Sequence, residues 1–228
     1  MVAAAAALAG VLLSGPISLA LVTLHPQPIW QGAEAFARAY HPIQTIPYFT
    51  GFLLVGGALA LIAALQAIAP PELRARASMA LAFAAVSAAL VVFNYVVQTT
   101  FLPALARSYV PADAPVIAAF SLSNPRSLGW GLEMWGYAVL GVATWLIAPV
   151  LADGSRVGRA TAALFVANGP VSIVGAVWTA LEPGWVMTTM GIALFGAWNL
   201  LVVAMLALAI VTLKVSPSKR TAAPARAS

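Results

Sequence analysis

Leu128-Gly129-Trp130-Gly131-Leu132-Glu133-Met134-Trp135-Gly136-Tyr137, continued by an apolar run as far as Leu151, is the stretch that decides how the rest of the chain is read. At 1.5 Å of rise per residue it is long enough, as a helix, to cross about 30 Å of hydrocarbon. Its one charge is Glu133, a carboxylate set several residues inside a hydrophobic run. Placing such a group at a bilayer centre costs roughly 2.5 kcal/mol or more, so intramembrane acids usually mark a function or a specific partner.

The pattern extends outward in both directions. Of 228 residues, 62% are hydrophobic and 7% charged, and the mean hydropathy is +0.96. Soluble domains carry about 25% charged residues. Six segments of spanning length are expected near residues 2–24, 47–69, 79–102, 128–151, 160–181 and 188–213. The predicted fold class is an all-α integral membrane protein, a six-transmembrane-helix bundle. Residues 1–215 form a single domain, and 216–228, rich in Ala, Pro, Lys and Arg, form a disordered basic cytoplasmic tail.

The net charge of +5 does not point to nucleic acid, because the bases sit in short loops and the tail. Arg74, Arg76, Arg156, Arg159, Lys214, Lys219, Arg220 and Arg226 fall on one side of the six segments, and Arg38, Arg107 and Arg126 on the other. By the positive-inside rule both termini are expected in the cytoplasm, which makes this a multi-pass protein of the cell membrane. The Ala-rich start has no Lys or Arg before its apolar run, so the first segment is expected to be retained rather than cleaved.

Cysteine is absent, which removes disulfides, thiol nucleophiles and thiolate metal ligands. The two histidines, His25 and His41, share one loop and supply no ligand pair within the bilayer. The sequence therefore points to no cofactor and no metal. The sequence sets no oligomeric state. The same loop carries Glu34 and Arg38 at i and i+4, positioned to pair on a short interfacial helix. A second short helix is expected over residues 116–121.

Polar residues fall in stripes on the last four spans. On the third, Ser87, Asn94 and Gln98 stand at i, i+7 and i+11, with Phe83 and Phe101 close to the same line and Tyr95 beside it. On the fourth, Trp130, Glu133, Tyr137 and Gly141 recur at i, i+3, i+7 and i+11. On the fifth, Asn168, Ser172, Gly175, Thr179 and Glu182 do so, and Asn168-Gly169-Pro170 is expected to distort that helix. The sixth contributes Trp198 and Asn199. Gln98, Glu133 and Thr179 are expected at matching depth, enclosing a cavity with Asn94, Asn168 and Asn199 as its floor. Arg126, two helical turns before Glu133, is the nearest candidate counter-charge in sequence.

An acid in a pocket of aromatic rings suits protonation of an apolar substrate, with cationic charge held against ring faces. Glu133, Asn94 and Gln98 are the candidate catalytic residues. Tyr95, Trp130, Tyr137, Asn168, Ser172, Trp178, Thr179, Trp198 and Asn199 are candidate substrate contacts, and Glu182 is a candidate second acid. The expectation is a membrane-embedded, acid-dependent cyclase or isomerase acting on an isoprenoid- or sterol-like molecule. No acidic cluster for a magnesium diphosphate is visible. One alternative is a transporter or binding protein for a hydrophobic small molecule or lipid, with proton coupling through Glu133. Another is a structural or accessory role in which Glu133 locks helices together.

The combination Asn94-Tyr95-x-x-Gln98, Asn124-Pro125-Arg126-Ser127 and Leu132-Glu133-x-x-Gly136-Tyr137 resembles a family of uncharacterised prokaryotic polytopic membrane proteins. It covers about the middle fifth of the chain and implies a helical membrane fold. In size and in acid-plus-aromatic content the chain has a looser likeness to small membrane-bound terpene cyclases, with no motif aligned residue by residue.

Overall fold

The computed structural model describes residues 1–26 and 29–215. The expectation for the tail, 216–228, lies outside the described residues. Six helices are long and apolar enough to cross a membrane: Val2–Val22, Pro42–Ala67, Pro71–Arg107, Leu128–Leu151, Arg156–Leu181 and Thr189–Val215. Among the described residues there is no strand, and the chain is an all-α six-helix bundle, a multi-pass membrane protein by its helices.

Each helix packs on its neighbours in sequence, and the sixth returns to the first, closing a ring. The fourth helix is the most buried and also touches the second across the ring. One end of the bundle carries Met1 and Val215 and is called here the terminal end; the other is the distal end. Toward the terminal end Ala4, Ala7, Leu61, Ile62, Leu65, Phe165 and Leu206 fill the interior. The first two helices approach backbone to backbone, since a side chain at Gly10 or Gly57 would overlap the facing main chain. Such contacts drive association in lipid, where burying apolar surface gains little.

The helix ends have local causes. Ser127 and Ser155 cap the fourth and fifth helices, their hydroxyls accepting from Trp130 and Gly158 N–H at 3.2 and 2.9 Å. Pro16 lies in a π-turn over Leu13–Ile17, and the Ser18 hydroxyl donates to the Leu13 carbonyl. Hydroxyls commonly re-satisfy backbone groups freed by proline in membrane helices.

The third helix is longer than its hydropathy suggests. It starts at Pro71 and continues through a π-turn at Val97–Phe101 to Arg107, about 55 Å in all. The distal extension is covered by two short helices, Ala33–Ala39 and Ala114–Phe120, through Phe36, Leu102, Ala106 and Ile117. Glu34 and Arg38 pair at 3.4 Å on the first of these. The second runs two residues earlier at its start, and one residue shorter at its end, than the expected 116–121.

Candidate functional site

Glu133 projects from the buried face of the fourth helix onto the third. Asn94 Nδ2 donates to its Oε2 at 2.9 Å and the Tyr95 hydroxyl to its Oε1 at 2.9 Å. Asn94 Nδ2 also donates to the Gly129 carbonyl at 3.2 Å. Gln98 Nε2 donates to Asn94 Oδ1 at 3.2 Å and to the Phe120 carbonyl at 2.8 Å, tying the distal short helix into the network. Ser87 reaches the Gly136 carbonyl at 2.6 Å. The polar stripe of the third helix thus meets the fourth along its length.

The Tyr95 and Tyr137 hydroxyls lie 2.9 Å apart. A phenol has one hydrogen to give. Because that of Tyr95 goes to Glu133, Tyr137 donates to Tyr95, and a directed chain runs Tyr137, Tyr95, Glu133. The second helix encloses Tyr95 with Tyr48 and Phe52, both at 5.7 Å between ring centres. No basic side chain pairs with Glu133 among the described residues. Arg126, the candidate counter-charge, is exposed on the distal loop.

A second cluster forms where the fourth, fifth and sixth helices meet. Trp198 Nε1 donates to Asn168 Oδ1 and Ser172 Oγ, each at 3.1 Å, and Asn168 Nδ2 donates to Thr144 at 3.1 Å. Tyr137 joins the two clusters, its ring packing edge-on to Trp198 at 5.0 Å between centres.

The hollow is not where the stripes alone placed it. Between the second, fourth and sixth helices only about 20 Å³ is open, beside Tyr137, Phe165 and Trp198. That is room for about one water. A cavity of about 720 Å³ lies on the distal loops, lined by Trp30, Asn124, Arg126 and Met187 among others, and one of about 530 Å³ opens sideways between the fifth and sixth helices. Met134, Tyr137, Trp178, Trp185, Phe195 and Trp198 line it along with aliphatic side chains. Glu133 does not line it; Tyr137 does.

The candidate residues therefore divide. Asn94, Tyr95, Gln98, Glu133 and Tyr137 form one network; Asn168, Ser172 and Trp198 form another, beside the cleft. Trp130 turns to the distal loop, its Nε1 donating to the Leu122 carbonyl at 2.7 Å. Thr179 accepts from Trp185 Nε1 at 2.7 Å, well apart from Gln98 and Glu133 in the hydrogen-bond pattern. Asn199 is not a cavity floor. Its Nδ2 donates to Phe195 on its own helix, and its oxygen faces Gly15 of the first helix. Phe83 and Phe101 are exposed and take no part in the network. Glu182 is exposed at the end of the fifth helix, accepting from Trp178 Nε1 at 3.3 Å.

Trp185 and Phe195 carried no polar stripe and so gave no signal in the sequence. Trp185 is placed by Gly184, whose φ of 100° turns the chain sharply after Glu182. The turn stacks the Trp185 indole on Trp178 at 4.8 Å and 9°. Thr144, Tyr48 and Phe52 also take part without having stood out. No family model, curated protein or solved structure matches the chain.

Proposed function

We propose that this is a multi-pass protein of the cell membrane, with both termini cytoplasmic, that binds a hydrophobic small molecule or lipid in the cleft between its fifth and sixth helices. Glu133 is the proton site coupled to that cleft. The observation that carries this reading is Tyr137, which lines the cleft with its ring and is connected through Tyr95 to Glu133 by two hydrogen bonds of 2.9 Å. A proton taken up on the Glu133 oxygen that faces Tyr95 reverses which hydroxyl donates along that chain, and so is felt at the cleft wall. The cleft volume lies within the roughly 300 to 1,000 Å³ common for small-molecule sites. Its sideways opening suits entry from a bilayer. Proton-coupled binding or transport fits this arrangement best.

A second reading, an acid-dependent cyclase or isomerase of an isoprenoid- or sterol-like molecule, draws on the ring-lined cleft. In that reading the rings hold developing positive charge. The proton leaves the Glu133 carboxyl for Tyr95, and Tyr137 delivers it, since the carboxyl does not itself face the cleft.

The test uses the full-length protein in proteoliposomes and mass spectrometry of the molecules that copurify with it. A hydrophobic ligand should copurify with both the native protein and Glu133→Gln. Ligand-dependent proton movement should occur only in the native protein. Rearrangement of the copurified molecule without proton flux selects the cyclase reading. A Glu133→Gln protein that binds no ligand and loses its helical bundle assigns Glu133 a purely structural role.

A further inference from the structure

The cleft has a polarity along its length. Its wall runs from Pro170 to Trp178 on the fifth helix, about 12 Å along the axis, and no charged side chain lines it. Its distal mouth is different. There Trp178 stacks on the buried Trp185 and remains 36% exposed, and its Nε1 donates to Glu182. Glu182 is exposed, and among the described residues no basic side chain lies within ion-pair distance of it. Arg126 sits on the loop whose Pro125 packs against Gly184, yet it makes no ion pair with Glu182.

An uncompensated carboxylate next to an exposed indole face is a complement for positive charge. The carboxylate attracts a cation electrostatically, and the indole adds cation–π attraction through its ring quadrupole. The stacked partner fixes the orientation of Trp178, and Trp185 is itself pinned by its bond to Thr179. Deeper in the cleft the polar groups are already used: Ser172 and Trp198 bond to each other and to Asn168. A strongly polar group placed there would find no free hydrogen-bond partner.

We propose that the cleft takes an amphipathic cation, with its charged head beside the Glu182 carboxylate and against the exposed part of Trp178 at the distal mouth, and its apolar body against Trp198, Phe195 and Tyr137. This rests on the cleft being a ligand site, and it adds the charge of the ligand and its orientation.

The probe is tetraphenylphosphonium, compared with tetraphenylborate, which has a similar shape and the opposite charge. Binding to the full-length protein in nanodiscs of zwitterionic lipid is followed by tryptophan fluorescence, with protein-free discs subtracted. The phosphonium should bind saturably, and Glu182→Gln should weaken it about three- to tenfold. Glu182→Asp should restore most of the loss, and added salt should weaken the native protein but not Glu182→Gln. Binding of the borate should not fall in Glu182→Gln. Ala197→Phe, which fills the cleft from the sixth helix, should abolish saturable binding of the phosphonium. Phosphonium binding that is lost in Ala197→Phe but unchanged in Glu182→Gln overturns the cationic head and leaves the cleft as a ligand site. No saturable binding of either ion, with Ala197→Phe leaving copurified molecules unchanged, overturns both.

Discussion

The ring of Tyr95 lies against the bare backbone of Gly51, so closely that a methyl group at position 51 would overlap the ring edge. The second helix thereby sets where the Tyr95 hydroxyl stands, and so where the third and fourth helices are joined. Gly51→Ala should push the ring aside and destabilise the protein by about 1 to 3 kcal/mol, the usual range for overpacking. Gly56→Ala on the same helix is the control, since a side chain there meets nothing within 4 Å. Thermal unfolding of the two variants in one detergent should separate them clearly.

Glu133 accepts from two donors that have few other places to go. Glu133→Ala leaves one hydroxyl hydrogen of the Tyr95–Tyr137 pair and one hydrogen of the Asn94 amide without their acceptor, at about 1 to 3 kcal/mol for each buried group left unpaired. Glu133→Gln keeps one acceptor for Tyr95 but turns an NH2 donor toward the Asn94 amide, and should cost less. The ordering native, Gln, Ala in melting temperature is the expected result. Equal stability of all three would mean that the carboxyl is not held by this network.

Arg76 reaches across from the third helix to the end of the fourth. Its Nε donates to the Leu146 carbonyl at 2.9 Å and its guanidinium to the Trp145 carbonyl at 3.2 Å. Cations at helix C-termini satisfy the last carbonyls and the negative end of the helix dipole. Arg76→Ala should therefore lower stability by roughly 1 kcal/mol, with faster hydrogen exchange in the last turn of the fourth helix. Arg74→Ala should leave that turn unaffected.

Thr161 and Thr212 link the fifth and sixth helices at the terminal end, with hydroxyls 2.8 Å apart. Their contact holds the pair together beyond the inner end of the cleft. A double-mutant cycle with Thr161→Val and Thr212→Val should give a coupling near 0.6 kcal/mol, the average for interhelical hydrogen bonds in membranes. A coupling of zero would show that the two hydroxyls do not share a bond.

Much of the architecture was legible before any coordinates. Runs of about 20 apolar residues require helices in hydrocarbon, because no other open chain satisfies its own backbone there. The spacing of Glu34 and Arg38 foretold their pair. The stripe of Ser87, Asn94 and Gln98 did mark the face of the third helix that meets Glu133.

The sequence by itself determined that there are six spanning helices, that Glu133 is the one acid deep among them, and which residues share each helix face. Only the tertiary structure decided which faces meet. It set Thr179 on Trp185, Asn199 against the first helix, and the open volume between the fifth and sixth helices instead of at the centre. The physical reason is that lipid and protein interior are equally apolar, so outside the few polar stripes hydropathy carries no signal for the rotation of a helix about its axis. That rotation is fixed by close contacts such as Gly51 on Tyr95 and by a turn such as Gly184, which are matters of shape between distant parts of the chain.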